Sequence, residues 1–415
     1  MARVDEPVAR PIQPAGMDLA MVSPRVRVIT DDMGFDEIGP AWARLHESVN
    51  GTAFESFEWQ RNWWRHFGGA SRGCSLHLLV VEIDGVVAGI APLMVRSERV
   101  LGPIRLRTLQ FLAPGISDYL GILCAGTHAI TVANAIACHL ADVRFDVLLL
   151  RELRDRSGVS NALLGRLRRM HWTASREDGE RCPCTVLKES WEETLKGLSA
   201  SHRKRLSYLQ RRLGKEFAVE FHRVSDPLEL DAAMSTMMSM HQQHWVSAAF
   251  SGAFHDSDSQ RFHLDTARAF LARGWLVLAF LRLNGEVAAS IYAFKVGGSL
   301  QFYLSGRGTA DEFVKYSPGL VVHLYCMQEM IREGVREYDF LRGTEPYKYT
   351  LGAEDVMTWG LVAFKPGSHY AQRMRALAVR VNRLVKEVKA LRRSLRKWRG
   401  HAERQQPLDS RQQEE

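Results

Sequence analysis

Leu300-Gln-Phe-Tyr-Leu-Ser305, Gly306-Arg-Gly308, Lys315-Tyr-Ser-Pro-Gly319 and Glu337-Tyr-Asp-Phe-Leu-Arg-Gly-Thr-Glu-Pro-Tyr-Lys348 follow one another in the stretch on which the fold turns. They read as an alternating strand, a Gly-rich polar loop, a helix opening at Ser317, and a second strand running into a cluster of Arg, Glu, Tyr and Lys. A loop of free amides beside a helix N-terminus can hold pyrophosphate, because unsatisfied N–H groups and the positive dipole end converge there. Such a unit suits coenzyme A.

Working outward, the chain carries a diverged internal duplication. Leu76 to Leu93 reads as two strands joined at Asp84-Gly85, and Trp275 to Tyr292 has the same layout around Asn284-Gly285. Both dipeptides are strong hairpin signals, since both turn positions need positive φ. Each hairpin is followed by a strand, a helix and another strand: Arg107 to Tyr119, Ala129 to Val143 and Phe145 to Leu150, then Leu300 to Leu304, Gly319 to Glu333 and Tyr338 to Leu341. Mixed order with antiparallel hairpins fits an α+β core better than a doubly wound nucleotide fold. Between the copies, Trp191 to Phe217 places Leu195, Leu198, Leu206, Leu209 and Leu213 on one helical face. It also holds His202-Arg-Lys-Arg205 and Arg211-Arg212, either a solvated basic face or a phosphate contact.

The series of strand, loop and Pro-Gly-opened helix, then Asp339-Phe-Leu-Arg-Gly343 and Glu345-Pro-Tyr-Lys348, resembles the second domain of the CelD-type GNAT-fold acyltransferases. These are similar in turn to the FemABX aminoacyl transferases, and the resemblance spans about residues 40 to 365. It implies an α+β fold of tandem GNAT-like domains, 25–188 and 189–368, after a leader at 1–24 and before a basic heptad helix and polar tail at 369–415. It further implies acetyl-CoA or another acyl-CoA as donor, held by Ser305, Arg307, Gly308, Lys315, Tyr316, Ser317 and Gly319. The usual Gln/Arg-Gly-x-Gly/Ala loop is not present as such; Ser305-Gly-Arg-Gly308 precedes a longer insertion through Lys315.

Acyl transfer from a thioester to an amine needs a base, donors for the oxyanion and an acid for the leaving thiolate. The resemblance assigns the oxyanion donors to backbone N–H groups of Leu300 to Ser305. A Ser-His-Asp or Cys-His triad is not readable. For the base, Glu345 in its Gly-Thr-Glu-Pro turn comes first and Asp118, at the corresponding strand end of the first half, second. Glu345 is alternatively a turn carboxylate capping a short helix. Asp339 is a cleft base or a buried structural carboxylate. Tyr303, Tyr316 and Tyr347 compete for the acid, since a phenol suits protonation of a thiolate; Tyr303 is alternatively an ordinary strand aromatic, and Tyr316 suits the pantetheine arm. Arg342 and Lys348 are candidates for phosphate or acidic-sugar contact, or form surface ion pairs. His241-Gln-Gln-His244-Trp245 offers an acceptor pocket through His241 and Trp245; as a metal pair it lacks a third ligand. Phe57-Glu-Trp59 to Trp64 reads as a helix docking its rings into the first core.

A chain of 415 residues with 46% hydrophobic and 25% charged residues suits two soluble domains. Met1 to Pro24 lacks an apolar h-region, so a leader and a cytoplasmic location are expected. Six dispersed cysteines read as reduced core residues, and Cys182-Pro-Cys184 lacks a second ligand pair, so no metal is expected. The net charge of +8 sits in the tail: residues 371–404 hold twelve Lys or Arg against two acids, leaving the remainder near −2. A nucleic-acid partner for the catalytic body is therefore not implied. Met374, Leu377, Val381, Leu384, Val388, Leu391, Leu395 and Trp398 form a strict heptad seam. It suits an anionic membrane surface or acidic partner, a homodimer, or packing on its own domain.

The reading that follows is an N-acyltransferase acting on an amine. The resemblance suggests a small-molecule or saccharide acceptor in polysaccharide or cell-envelope synthesis. The alternatives are aminoacyl transfer from tRNA to a peptidoglycan precursor, and a non-catalytic partner of a membrane-bound polysaccharide synthase.

Overall fold

The structure, a computed structural model, describes residues 24–69, 72–247, 252–308 and 310–381, with the side chains of 244–247 and 311 outside the description. The first half runs β1 (Arg25–Ile29), α1 (Asp32–Glu37), α2 (Gly39–Ser48), α3 (Phe57–Phe67), β2 (Cys74–Leu76), β3 (Leu78–Ile83), β4 (Val86–Ala91) and β5 (Leu93–Leu101). It continues through β6 (Ile104–Phe111), β7 (Leu123–Cys124), α4 (Ala129–Asp142), β8 (Val147–Leu153), α5 (Val159–Arg169) and β9 (Thr173–Val186). The second half runs α6 (Trp191–Lys196), α7 (Ala200–Glu216), β10 (Val219–Arg223), α8 (Leu230–Ser247), α9 (Ser257–Ala272), β11 (Leu276–Leu283), β12 (Glu286–Val296) and β13 (Ser299–Arg307). It ends with α10 (Asp311–Val314), α11 (Pro318–Arg332), β14 (Glu337–Asp339), α12 (Pro346–Thr350) and β15 (Glu354–Phe364).

Both expected hairpins form. Asp84-Gly85 and Asn284-Gly285 take positive φ throughout, joining β3 to β4 and β11 to β12. Even the irregularities repeat, since the register slips at Val81/Glu82 in one hairpin and Leu281/Arg282 in the other. Each half then makes a parallel crossover, β6 to β8 over α4 and β13 to β14 over α11. Trp191 to Phe217 is two helices, because Ser199 accepts from the His202 N–H and so caps α7.

The halves share one sheet. A four-stranded sheet, β1-β3-β4-β7, stands beside an eleven-stranded one ordered β10-β11-β12-β13-β14-β9-β15-β8-β6-β5-β2. β15, from the end of the second half, lies between β8 and β9, while β9 reaches across to pair with β14. Sheet hydrogen bonding therefore runs unbroken from one half to the other.

Aromatic packing ties the same junction. The α3 rings dock as their spacing predicts, but into a core built from both halves: Trp59 is fully buried, edge-on to Phe54 at 4.9 Å and to Phe262 at 5.0 Å. Its indole N–H donates to Ser117 Oγ at 2.9 Å, so the ring is buried without an orphaned donor. Five of the six cysteines are buried, Cys138 being exposed, and all six are free thiols. Among the described residues no helix is long and apolar enough to cross a membrane, and no group of three or more metal-ligating side chains gathers.

Candidate functional site

Two strands part company because each follows a different neighbour. β13 pairs with β14 only over Ser299–Gln301 and Glu337–Asp339. From there β13 stays with β12 as far as Arg307. Residues 340–343 instead stay with β9: the Phe340 and Gly343 N–H groups donate to the carbonyls of Pro183 and Arg181. Leu341 takes a left-handed φ of 55° at the divergence. The wedge between them is a cleft of about 320 Å³ lined by Asp118, His241, Phe302, Tyr303, Leu304, Ser305, Arg307, Phe340, Leu341, Arg342, Glu345, Tyr347 and Lys348. Tyr303 is the extra residue of a bulge in β13, since Phe302 and Leu304 face consecutive residues of β12. Bulges of this kind interrupt the ladder and re-aim side chains.

No such wedge opens between β6 and β8. Their parallel pairing over Thr108–Gln110 is resumed when the chain returns at Leu120, which bridges Leu153 and donates its N–H to the Glu152 carbonyl at 2.9 Å. The excursion that precedes this return delivers Asp118 to the cleft of the other half.

Asp118 is held from the far wall. Its Oδ1 accepts from Arg342 Nε at 2.6 Å and from the Arg342 N–H at 3.2 Å, while Arg342 also donates to the Gly115 carbonyl. Oδ2 has no hydrogen-bond partner among the described residues. Glu152 lies behind, 4.0 Å from the Arg342 guanidinium, in a left-handed conformation with φ of 58°. Burial pushes its carboxyl above the usual range against the opposing pull of Arg342.

The other acid and base candidates divide by environment. Asp339 does not line the cleft: it is fully buried and accepts from Tyr119 Oη at 2.8 Å, the Leu341 N–H at 2.9 Å and Arg154 Nη1 at 3.3 Å. Desolvation raises its pKa to about 6 despite Arg154. Glu345 is more than half exposed, makes no side-chain cap to α12, and pairs with Lys348 at 3.0 Å. Lys348 is nine-tenths buried, its ammonium within reach of the carbonyls of Phe340, Leu341, Arg342 and Gly343. It clamps the diverging turn from within and also holds the exposed Glu345 carboxylate. Tyr303 donates to the Ile116 carbonyl at 2.9 Å, and burial holds its pKa well above that of an ordinary phenol. Tyr347 stacks on buried His323 at 5.4 Å, and burial raises its pKa too; its hydroxyl has no hydrogen-bond partner among the described residues.

Below the wedge, a second cavity of about 270 Å³ is lined by Arg205, Arg307, Gly308, Val314, Ser317, Pro318, Gly319, Leu320 and Tyr347. Arg307 and Tyr347 border both, so the wedge adjoins the cavity at the N-terminus of α11. Ser317 precedes that helix in a left-handed conformation and its carbonyl accepts from the N–H groups of Leu320 and Val321. Arg307 lies over the first turn, where a Cβ on Gly319 would come within 3.1 Å of its Nε. Among the described residues neither Arg307 nor Arg205 forms an ion pair or a side-chain hydrogen bond, leaving two cations beside the positive end of a helix dipole.

Several donor candidates lie elsewhere or are engaged. The expected Gly-rich loop is strand through Arg307: Gly306 donates to Ser290 Oγ and Gly308 to the Ala288 carbonyl, so these two amides are engaged with residues 288 and 290. Tyr316 is buried against Phe217 with Arg212 over its ring, and Lys315 sits on the same ring; neither lines the wedge or the cavity. His241 does line the wedge, its Nδ1 2.9 Å from the Ser305 carbonyl. The Trp245 side chain lies outside the described residues. Arg205 belongs to the basic run at 202–205 that the sequence offered as either a solvated face or a phosphate contact, whereas Glu152, beside Arg342, has no local signal in the sequence.

Residues 200–349, which supply the lining of the wedge and the α11 cavity apart from Asp118, match the family described as an acetyltransferase (GNAT) domain. The fold is a mixed αβ fold of the GNAT type. Among solved structures, that of FemX aligns with a TM-score of 0.58 at 12% identity, covering 85% of this chain and 100% of FemX. The C-terminal domain of a putative lysylphosphatidylglycerol synthetase from Agrobacterium fabrum aligns at 0.49 and 12%, covering 83% and 97%. A GCN5-related N-acetyltransferase from Sphaerobacter thermophilus aligns at 0.33 and 12%, covering 83% and 97%. At 12% identity the likeness to FemX concerns the fold. No curated protein matches the chain in sequence.

Proposed function

We propose that the chain transfers an acyl group from an acyl-coenzyme A, acetyl-CoA being the simplest, to an amine. The observation that carries this reading is the cavity at the α11 N-terminus, beside which Arg307 and Arg205 have no ion pair among the described residues, adjoining through Arg307 and Tyr347 the wedge where β13 leaves residues 340–343. Pyrophosphate oxygens would take the cations and helix end, and the thioester would reach the bulge at Tyr303. Asp118 would receive the ammonium: Arg342 fixes one carboxylate oxygen, and the other is available to take the proton as the amine attacks. Glu345 is the second carboxylate on the wedge. Tyr347, with its raised pKa, is a weak proton source for a thiolate and acts as a hydrogen-bond donor to it. Membership among the CelD-type proteins and an acceptor in polysaccharide or envelope synthesis belong to the same proposal.

The test is calorimetric titration with acetyl-CoA. Arg307→Ala should weaken binding by about tenfold or more, as expected for loss of a charge-assisted phosphate contact, whereas Lys315→Ala, outside the cavity, should not. No binding by the unaltered protein would sink the acyl-CoA reading. A second reading, aminoacyl-tRNA as donor, draws support from α7, which carries Arg203, Lys204, Arg205, Arg211, Arg212 and Lys215 against Glu216 and brings Arg205 to the cavity. Retarded migration of tRNA, lost on reversing those charges, would favour it.

A further inference from the structure

The cavity at the α11 N-terminus has a rim that the wedge does not share. Arg307 and Tyr347 border both spaces, whereas Arg205 of α7 and Val314 of α10 border the cavity alone. Packing fixes α7 against the α10 segment. Phe217, which follows α7, stands edge-on to Phe313 at 5.4 Å and to Tyr316 at 5.0 Å, and the Arg212 guanidinium lies over the Tyr316 ring at 4.7 Å. Leu206, Leu209 and Leu213 bury the inner face of the same helix. Arg205, Tyr208 and Arg212 form the stripe beside that face, since residues three and four apart are neighbours on a helix. Arg205 reaches the cavity and Arg212 reaches Tyr316, so Tyr208 stands between them, one turn from the cavity rim.

Both sides of this rim carry apolar surface that the fold leaves uncovered. Tyr208 is 53% exposed on one element and Val314 is 61% exposed on the other. Among the described residues no ring, guanidinium or hydrogen-bond partner engages Tyr208, so its π-face is free. An acyl-CoA with its thioester at the Tyr303 bulge and its pyrophosphate at the α11 N-terminus carries its adenine beyond the pyrophosphate, on the side away from the wedge. A purine is flat, apolar on both faces, and stacks on aromatic rings whatever its edge groups. We propose that Tyr208 is the stacking platform for the adenine of the donor, with Val314 closing the opposite side of the mouth. The proposal rests on the acyl-CoA reading and extends the donor site by a residue that lines neither cavity nor wedge.

The test is calorimetric titration of the full chain with acetyl-CoA and with S-acetyl-4′-phosphopantetheine, which keeps the thioester arm and one phosphate but has no adenosine. Tyr208→Ala should weaken acetyl-CoA binding about tenfold, as expected for one base stacked on one ring, and leave the truncated donor unaffected. Tyr208→Phe, which keeps the ring, should bind acetyl-CoA as the unaltered protein does. Val314→Ser should weaken acetyl-CoA in the same selective way and by less. Thermal unfolding should be unchanged in all three variants, because both side chains are exposed. Undiminished acetyl-CoA affinity in Tyr208→Ala, an equal loss for both donors, or weak binding by Tyr208→Phe would overturn the proposal and leave the acyl-CoA reading standing. Absence of acetyl-CoA binding by the unaltered protein would instead remove the reading on which it rests.

Discussion

Asp118 and Arg342, 224 positions apart in the chain, meet at 2.6 Å across the wedge, and the same Asp118 oxygen takes both the Arg342 side chain and its backbone N–H. One half of the chain thus supplies the carboxylate and the other fixes its orientation. Asp118→Asn should lower turnover by about a hundredfold with a smaller effect on donor binding. In a double-mutant cycle on stability, Asp118→Asn and Arg342→Gln should couple by about 2 kcal/mol, because each removes the partner of a largely buried charge. Additive single effects would show that the pair is not formed in solution.

Lys348→Met should destabilise the fold by about 3 kcal/mol, since four carbonyls at residues 340–343 lose a common buried donor. Urea unfolding measures the loss. A near-neutral result would mean that the turn is held by β9 alone.

Asp339 gives a pH signature. Its pKa in the folded protein is raised to about 6, above the ordinary value near 4 expected of the unfolded chain. Between these values the folded state binds the extra proton, so this carboxyl's contribution falls as pH rises from about 4 through about 6 and is level above that. Comparison of chemical denaturation for the unaltered protein and Asp339→Asn across this window should show the slope only in the former.

Gly306→Ala should cost about 1–3 kcal/mol by overpacking, because a Cβ there would sit 2.6 Å from both Met240 Cβ and Ser290 Oγ. The damage should include weakened donor binding, since α8 packs on β13 at this point and β13 forms one wall of the wedge. Thermal unfolding beside acetyl-CoA titration separates the two effects.

Local chemistry made much of this protein legible from its residues. Asp84-Gly85 and Asn284-Gly285 carry their turn conformations with them, Pro318 is preset for the first turn of a helix, and the Trp residues of α3 have to be buried somewhere. Those features depend on near neighbours and on hydrophobic period. The wedge does not. It exists because residues 340–343 follow β9 while β13 follows β12, a choice between hydrogen-bond partners far apart in sequence. The same competition turned the Gly-rich segment at 305–307 into strand and engaged the Gly306 and Gly308 amides with Ser290 and Ala288 of β12. Tertiary structure alone decided that β15 would enter between β8 and β9, that Lys348 would be buried under carbonyls, and that Asp118 would face Arg342. Each is a pairing across more distant chain or a burial, and neither leaves a periodic trace in the sequence that a local reading can recover.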